Sequence, residues 1–392
     1  MFIQNFQTRI YVQYSEVVEK TDVGKFVVKM LSDDPRVIAL YGKMISCGSG
    51  SQMFETKTLA MWFLWCANEY GIEKAQNYLE SFLDSEKISV INALWVLGIE
   101  VDQPIPLKDG YVIQSVHHMP DSREKEIFLQ TQLGYVLQNT PVSRCAITKT
   151  CLIQKTKDNE VPATADDDPE FWKISRQLYD IALLLNTLSD SFCVPYFSTS
   201  YVDHTIPFGP FAGSGGGSPI YDVIAHGSNK LHYDLKDTIG LLMTKYNNMN
   251  EPKKTKIQRI LNRLSQAKRR TQIEDKILDL GIVLEMLLLD DNSNHDQLSL
   301  SFRLRGAWLL GKSAEDRLKK YNHLRNLYTY RSQVAHSGML CKGRRAEINK
   351  VQQSFSEYQS LAENICQKMI LEGEPDWNKL ILGFSESTPT NS

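Results

Sequence analysis

The chain lacks the features that define several large protein classes. Its longest apolar run, 59–67, reads Leu-Ala-Met-Trp-Phe-Leu-Trp-Cys-Ala, well short of the ~20 residues that span a bilayer. The opening Met-Phe-Ile-Gln-Asn-Phe-Gln has no charged-then-apolar layout of a secretory signal, so a cytoplasmic location and no membrane partner are expected. The seven cysteines are odd in number, scattered, and never form C-x-x-C. Histidines do not stand at zinc-ligand spacing from them, so the thiols read as reduced and a structural metal is not expected. Gly213-Ser214-Gly215-Gly216-Gly217-Ser218 resembles a phosphate loop only in glycine, because the next lysine is Lys230. It reads as a surface loop, with a nucleotide-binding regulator as the competing reading; no cofactor is expected. No internal repeat is visible.

What is present is an ordinary globular composition, 42% hydrophobic and 23% charged, and a length sufficient for two domains. The net charge of −2 conceals an asymmetry. Residues 251–350 hold 21 Lys or Arg against 11 Asp or Glu, and the rest of the chain holds 23 against 35. That separation points to a polyanionic partner for the later part of the chain.

The expected class is α+β: a mixed N-terminal region, 1–250, then an all-α bundle, 251–383, then a disordered tail, 384–392. Residues 1–55 are weakly patterned, broken at Asp33-Asp34-Pro35. Helices are expected over 57–70 and 73–83, and strands between 88 and 152, with Asp109-Gly110 as a turn. Asp168 can cap a helix that starts at Pro169 and runs to about 188; 192–201 reads as a strand. The polar segment 247–252 marks the domain boundary. Beyond it, helices are expected over 256–270, from Ile273 to Leu287, over 300–310 and over 314–335, with Gly338 as a stop. Ile348, Val351, Phe355, Tyr358, Ile365 and Met369 trace one long terminal helix.

Near the end of the fourth of these helices stands Tyr330-Arg331-Ser332-Gln333-Val334-Ala335-His336-Ser337-Gly338. Histidine can take or give a proton at neutral pH, and a fixed arginine can neutralise charge on a phosphate. Together they suit cleavage of RNA by its own 2′-hydroxyl, which leaves a 2′,3′-cyclic phosphate and a 5′-hydroxyl; DNA lacks that nucleophile. Arg331–His336 matches the R-x(4–6)-H motif of HEPN domains. The helix from Ile273, with Glu285 set among Leu284, Met286, Leu287 and Leu288, resembles the first core helix of the Apea-like HEPN group, and Arg303–Leu310 its second. The resemblance covers roughly 255–375. It implies a metal-independent endoribonuclease, cutting RNA (tRNA among the candidates), acting as a toxin or phage-defence effector and answering a phage-derived or cellular trigger.

Five residues at ~100° each set Arg331 and His336 about 140° apart on an ideal helix. A HEPN-type homodimer that brings two motifs into one groove answers this, and a bend before Gly338 would help. Ser332 is a candidate to orient His336 or bond phosphate. Glu285, costly to bury alone, is expected either to orient Arg331 or, the favoured reading, to pair with Arg303 or Arg305. RNA contacts are expected from Lys256, Arg259, Arg263, Lys268, Arg269 and Arg270, with Tyr330 as a stacking platform. Ser332 and Ser337 depart from the family's usual neighbours of the motif, which keeps a second reading open: a non-catalytic HEPN module that binds RNA or a protein partner.

Overall fold

A computed structural model describes residues 6–48, 50–122, 125, 129, 144–157, 169–189, 191–211, 216–217, 229–289 and 297–383. The fold is α+β, with the sheets early in the chain and, among the described residues, helices without strands after residue 236. The chain divides into two compact units, Met1–Tyr179 with Pro195–Tyr221, and Asp180–Val194 with Asp222–Ser392. The division therefore falls before the polar segment at 247–252. The Asp168 cap, the tail after 383 and most of the glycine-rich loop lie outside the described residues.

The first unit opens with three helices where the sequence is weakly patterned: α1 (Phe6–Lys20), α2 (Asp22–Ser32) and α3 (Pro35–Ile38). In α2, Gly24, Val27 and Leu31 are buried at a helical period, and Val23, Phe26 and Met30 beside them are apolar and exposed. Local caps set the boundaries. Thr21 accepts from the Gly24 amide at 3.0 Å, and Asp34 accepts from the Arg36 amide at 2.8 Å with Pro35 in the first turn. Asp33-Asp34-Pro35 thus starts a helix.

Two helices follow, α4 (Thr56–Tyr70) and α5 (Ile72–Asp84). A small sheet joins β1 (Met44–Ser46), β2 (Ser51–Met53) and β7 (Thr156–Lys157). The main sheet contains β3 (Lys87–Leu97), β4 (Ile105–Pro106), β5 (Tyr111–Ser115), β6 (Cys145–Gln154), β8 (Val194–Tyr201) and β9 (Gly216–Gly217). Its order is β9-β8-β3-β6-β5-β4. The long β3–β6 pair is antiparallel, from Lys87 opposite Gln154 to Val96 opposite Cys145. Lys155, just past β6, turns inward and donates to the Phe82 and Leu83 carbonyls at 2.6 and 3.1 Å. It thereby satisfies carbonyls that the end of α5 leaves open.

The second unit takes the last turns of α6 (Pro169–Leu185) and then α7 (Lys236–Asn247), α8 (Glu251–Arg269), α9 (Ile273–Leu288), α10 (Leu298–Leu310), α11 (Ala314–Ser337), α12 (Arg345–Gln353), α13 (Phe355–Glu372) and α14 (Trp377–Leu382). Helix α9 is central and packs against α8, α10, α11 and α13. Ile277, Leu280, Val283, Leu284 and Leu288 on it are fully buried. The expected single terminal helix is broken at Ser354 into α12 and α13, although its apolar stripe continues through both. Among the described residues no helix is long and apolar enough to cross a membrane. All seven cysteines are free thiols, six of them buried.

His204 lies 3% exposed in the first unit, with its ring edge-on to Trp65 and its carbonyl accepting from Trp62 Nε1 at 3.0 Å. Burial pushes the imidazole down to about 4. A histidine depressed on folding contributes stability that is intact above its unfolded value near 6.5 and is lost as pH falls toward its folded value. Urea unfolding should therefore show the first unit losing about 3 kcal/mol between pH 7 and pH 4 from this group. His204→Gln, which does not titrate there, should flatten that part of the profile; an equal slope in the variant would remove His204 as the cause.

Candidate functional site

The site is built on the face of α9 that carries Gly281 and Glu285, four residues apart and so stacked one above the other. Helix α11 crosses this face at Arg331. A Cβ at position 281 would stand 2.3 Å from Arg331 Cγ and 2.8 Å from its Cβ. The stem of the arginine therefore lies directly on the α9 backbone, and only glycine admits it. The guanidinium reaches one turn along, where Nη2 donates to Glu285 Oε2 at 2.6 Å. Nε is buried without a hydrogen-bond partner, and Nη1 meets no acceptor among the described residues. Burial pushes the Glu285 carboxyl above the ordinary glutamate range, against the opposing pull of Arg331.

Glu285 thus takes the partner expected less of it. Arg303 instead donates through Nε to the Ser299 carbonyl at 2.8 Å, with its guanidinium over Tyr321. Arg305 donates to the Leu288 carbonyl at 2.6 Å and covers Trp377. A second glycine, Gly306 on α10, meets α11 at another contact: a Cβ there would stand 2.5 Å from Leu324 Cδ1.

The remaining motif residues point elsewhere. Helix α11 is continuous to Ser337, and Gly338 closes it at φ 69° with its amide on the Val334 carbonyl. The helix therefore runs without a break up to Gly338. Arg331 faces α9 while His336 is exposed, and one chain does not bring the two side by side. Ser332 is half-buried. Tyr330 is a packing residue in the folded unit, edge-on to Tyr358 with ring centres 6.4 Å apart, and burial raises its phenol. The ring is half-buried.

The basic helix α8 turns much of its charge inward. Lys268 is 2% exposed at its side chain and pairs with Glu363 at 2.6 Å, and its ammonium also donates to the Asn186 and Ser191 carbonyls at 2.7 and 2.6 Å. Its three donors are used inside the unit, so it is not an RNA contact in this fold. Arg263 and Arg270 converge on buried Asp279 at 2.9 and 3.0 Å, and Lys256 sits 3.7 Å from Glu374. Arg269 is half-buried, and Arg259 remains exposed. The reason is geometric: 19 helical residues with eight basic or acidic side chains, packed on a central helix, cannot keep every charge on the outer face.

Two groups escaped the sequence reading. Gly281 was legible only as a glycine inside an apolar helix, a residue that ordinarily weakens one. The exposed Lys342, Arg344 and Arg345 follow the motif helix, and their signal was the short run Cys-Lys-Gly-Arg-Arg. The unit also has a cleft of about 540 Å³ between α11 and α13, lined by Lys320, His323, Ser356, Glu357 and Ser360 among others. None of Glu285, Arg331, Ser332 or His336 lines it. Among the described residues no three or more His, Cys, Asp or Glu side chains gather as a metal site would require. No protein-family model, curated protein or solved structure matches the chain.

Two stability measurements follow from this geometry. Lys268→Met leaves Glu363 buried without its cation and should cost about 3–5 kcal/mol, whereas Lys268→Met with Glu363→Leu should recover most of it. Equal losses would mean that the pair is not coupled. For Glu285 the sign is the reverse of a salt-bridged carboxylate: a raised folded value gives stability that is full below the unfolded value and lost as pH rises through the folded one. Wild type should therefore gain on Glu285→Gln as pH falls below neutrality, and a gap that shrinks toward acid would contradict the assignment.

Proposed function

We propose that the chain is a metal-independent RNA endonuclease of the HEPN type, assembled as a homodimer through its helical unit. The observation that carries the reading is the state of Arg331. Its stem is seated on Gly281 and one nitrogen is held by Glu285, while Nη1 has no protein acceptor. A cation fixed in this way is suited to meet charge that develops on a phosphate. An arginine serving packing alone would not need a glycine in a central helix to admit it.

In this reading the exposed His336 of each protomer enters a groove shared with its partner. One imidazole takes the proton of the 2′-hydroxyl as that oxygen attacks phosphorus, and the other gives a proton to the departing 5′-oxygen. Arg331 holds the phosphoryl oxygens through the pentacoordinate state. The 140° between Arg331 and His336 is then a property of the single chain that dimerisation resolves. The resemblance to the Apea-like HEPN group adds the roles of toxin or phage-defence effector, with the first unit sensing a trigger or restraining the nuclease. That role rests on likeness of residues and not on their chemistry.

The test is cleavage of total RNA and tRNA in excess EDTA by wild type, Arg331→Ala and His336→Ala. Wild type should leave 2′,3′-cyclic phosphate ends, and each variant should lose about 100-fold or more. Equal cutting by all three would place the activity outside this site. Tight RNA binding by wild type with the RNA left whole would favour the non-catalytic module.

A further inference from the structure

We infer that the turn after α11, carrying Lys342, Arg344 and Arg345, is the surface that holds the RNA backbone beside His336. The inference rests on the RNA reading above and names the part of the fold that would carry affinity.

The turn is fixed in place. Leu340 is fully buried and Cys341 is 4% exposed, so both anchor it from below. The Cys341 amide donates to Gln333 Oε1 at 3.0 Å, and Gln333 lies three residues before His336, on the adjoining turn of α11. Ser337 Oγ adds contacts to Met339, accepting from its amide at 3.4 Å and donating to its carbonyl at 3.2 Å. The loop is thus folded back along the end of the helix that carries the histidine.

Its backbone takes an uncommon path. Cys341, Lys342 and Gly343 have φ of 49°, 53° and 75°, so two consecutive residues with side chains occupy the left-handed region. L-residues avoid that region because Cβ crowds the carbonyl oxygen. A chain free to relax would place glycine or asparagine there. A lysine stands there, and Lys342, Arg344 and Arg345 are all exposed. Arg344 is steadied by Glu347 at 2.8 Å and by the Cys341 carbonyl at 3.3 Å. Lys342 and Arg345 have no acidic partner among the described residues. On α8, by contrast, Lys268, Arg263 and Arg270 are taken up by Glu363 and Asp279. Exposed cations without an acidic partner therefore stand on the turn that folds back along the His336 end of α11.

The test measures binding apart from cutting. The probe is a fluorescent single-stranded oligoribonucleotide with every 2′-hydroxyl replaced by 2′-O-methyl, followed by anisotropy across a salt series. Lys342→Ala with Arg345→Ala should weaken binding about tenfold and lower the slope of log Kd against log salt by about 1.4, the loss of two phosphate contacts. Lys253→Ala with Lys319→Ala, exposed positions on α8 and α11, should leave both quantities near wild type. An unchanged slope in the first variant, or the loss appearing in the second, would overturn the assignment. Melting curves for both variants should match wild type, since all four side chains are exposed; a lower melting temperature with weaker binding would assign the loss to folding and also overturn it. The probe cannot be cut, so a chain that binds it through 342–345 yet spares natural RNA would retain the surface and lose only the nuclease reading.

Discussion

Everything in the helical unit is arranged around the burial of α9. With four helices packed on it, a carboxylate on this helix can persist only where a cation is brought to meet it. It carries two that do so. Asp279 draws Arg263 and Arg270 from the end of α8, and Glu285 draws Arg331 from α11. The two positions are six residues apart, so they address different neighbours. One requirement, that acids within the bundle be neutralised, thereby fixes where three arginines stand. The Lys268–Glu363 pair repeats it between α8 and α13.

The same economy separates structural charge from charge available to a ligand. Asp279 is almost wholly enclosed and is met by two arginines at once, each with about two-fifths of its side chain exposed. At Glu285 both side chains are about a quarter exposed, and the contact occupies a single nitrogen of Arg331. Seating the stem on Gly281 also brings a glycine into the middle of the central helix, where it weakens helix formation by about 1 kcal/mol relative to alanine. A bundle held together by packing alone would be more stable with a side chain there. That local sacrifice of stability is the physical argument for reading Arg331 as functional.

Much of the fold was legible because it follows from periodicity. The apolar repeats in α6 and α9, and the alternation in β6, locate those elements within a few residues. The illegible parts have identifiable reasons. In α2 the exposed apolar residues Val23, Phe26 and Met30 stand beside the buried ones, so the apolar face is wider than the part that is buried. At Ser354 the apolar stripe runs on through a break in the backbone, which a pattern of side chains does not register. The domain boundary was placed on a polar segment, whereas the compact units exchange the residues on either side of β8.

The sequence by itself determined the types of group available: a histidine and an arginine five apart near a helix end, a glutamate in an apolar helix, and an excess of positive charge in one hundred residues. Those depend only on order and spacing along one helix, which 3.6 residues per turn converts into faces. Tertiary structure decided which groups meet. It chose Arg331 over Arg303 and Arg305 for Glu285, enclosed Lys268 and left Lys342 and Arg345 in solvent, and packed Tyr330 against Tyr358. Such choices depend on how closely two helices approach. At the site that distance is set by one missing methyl group, at Gly281, whose effect appears only when α11 is laid across it.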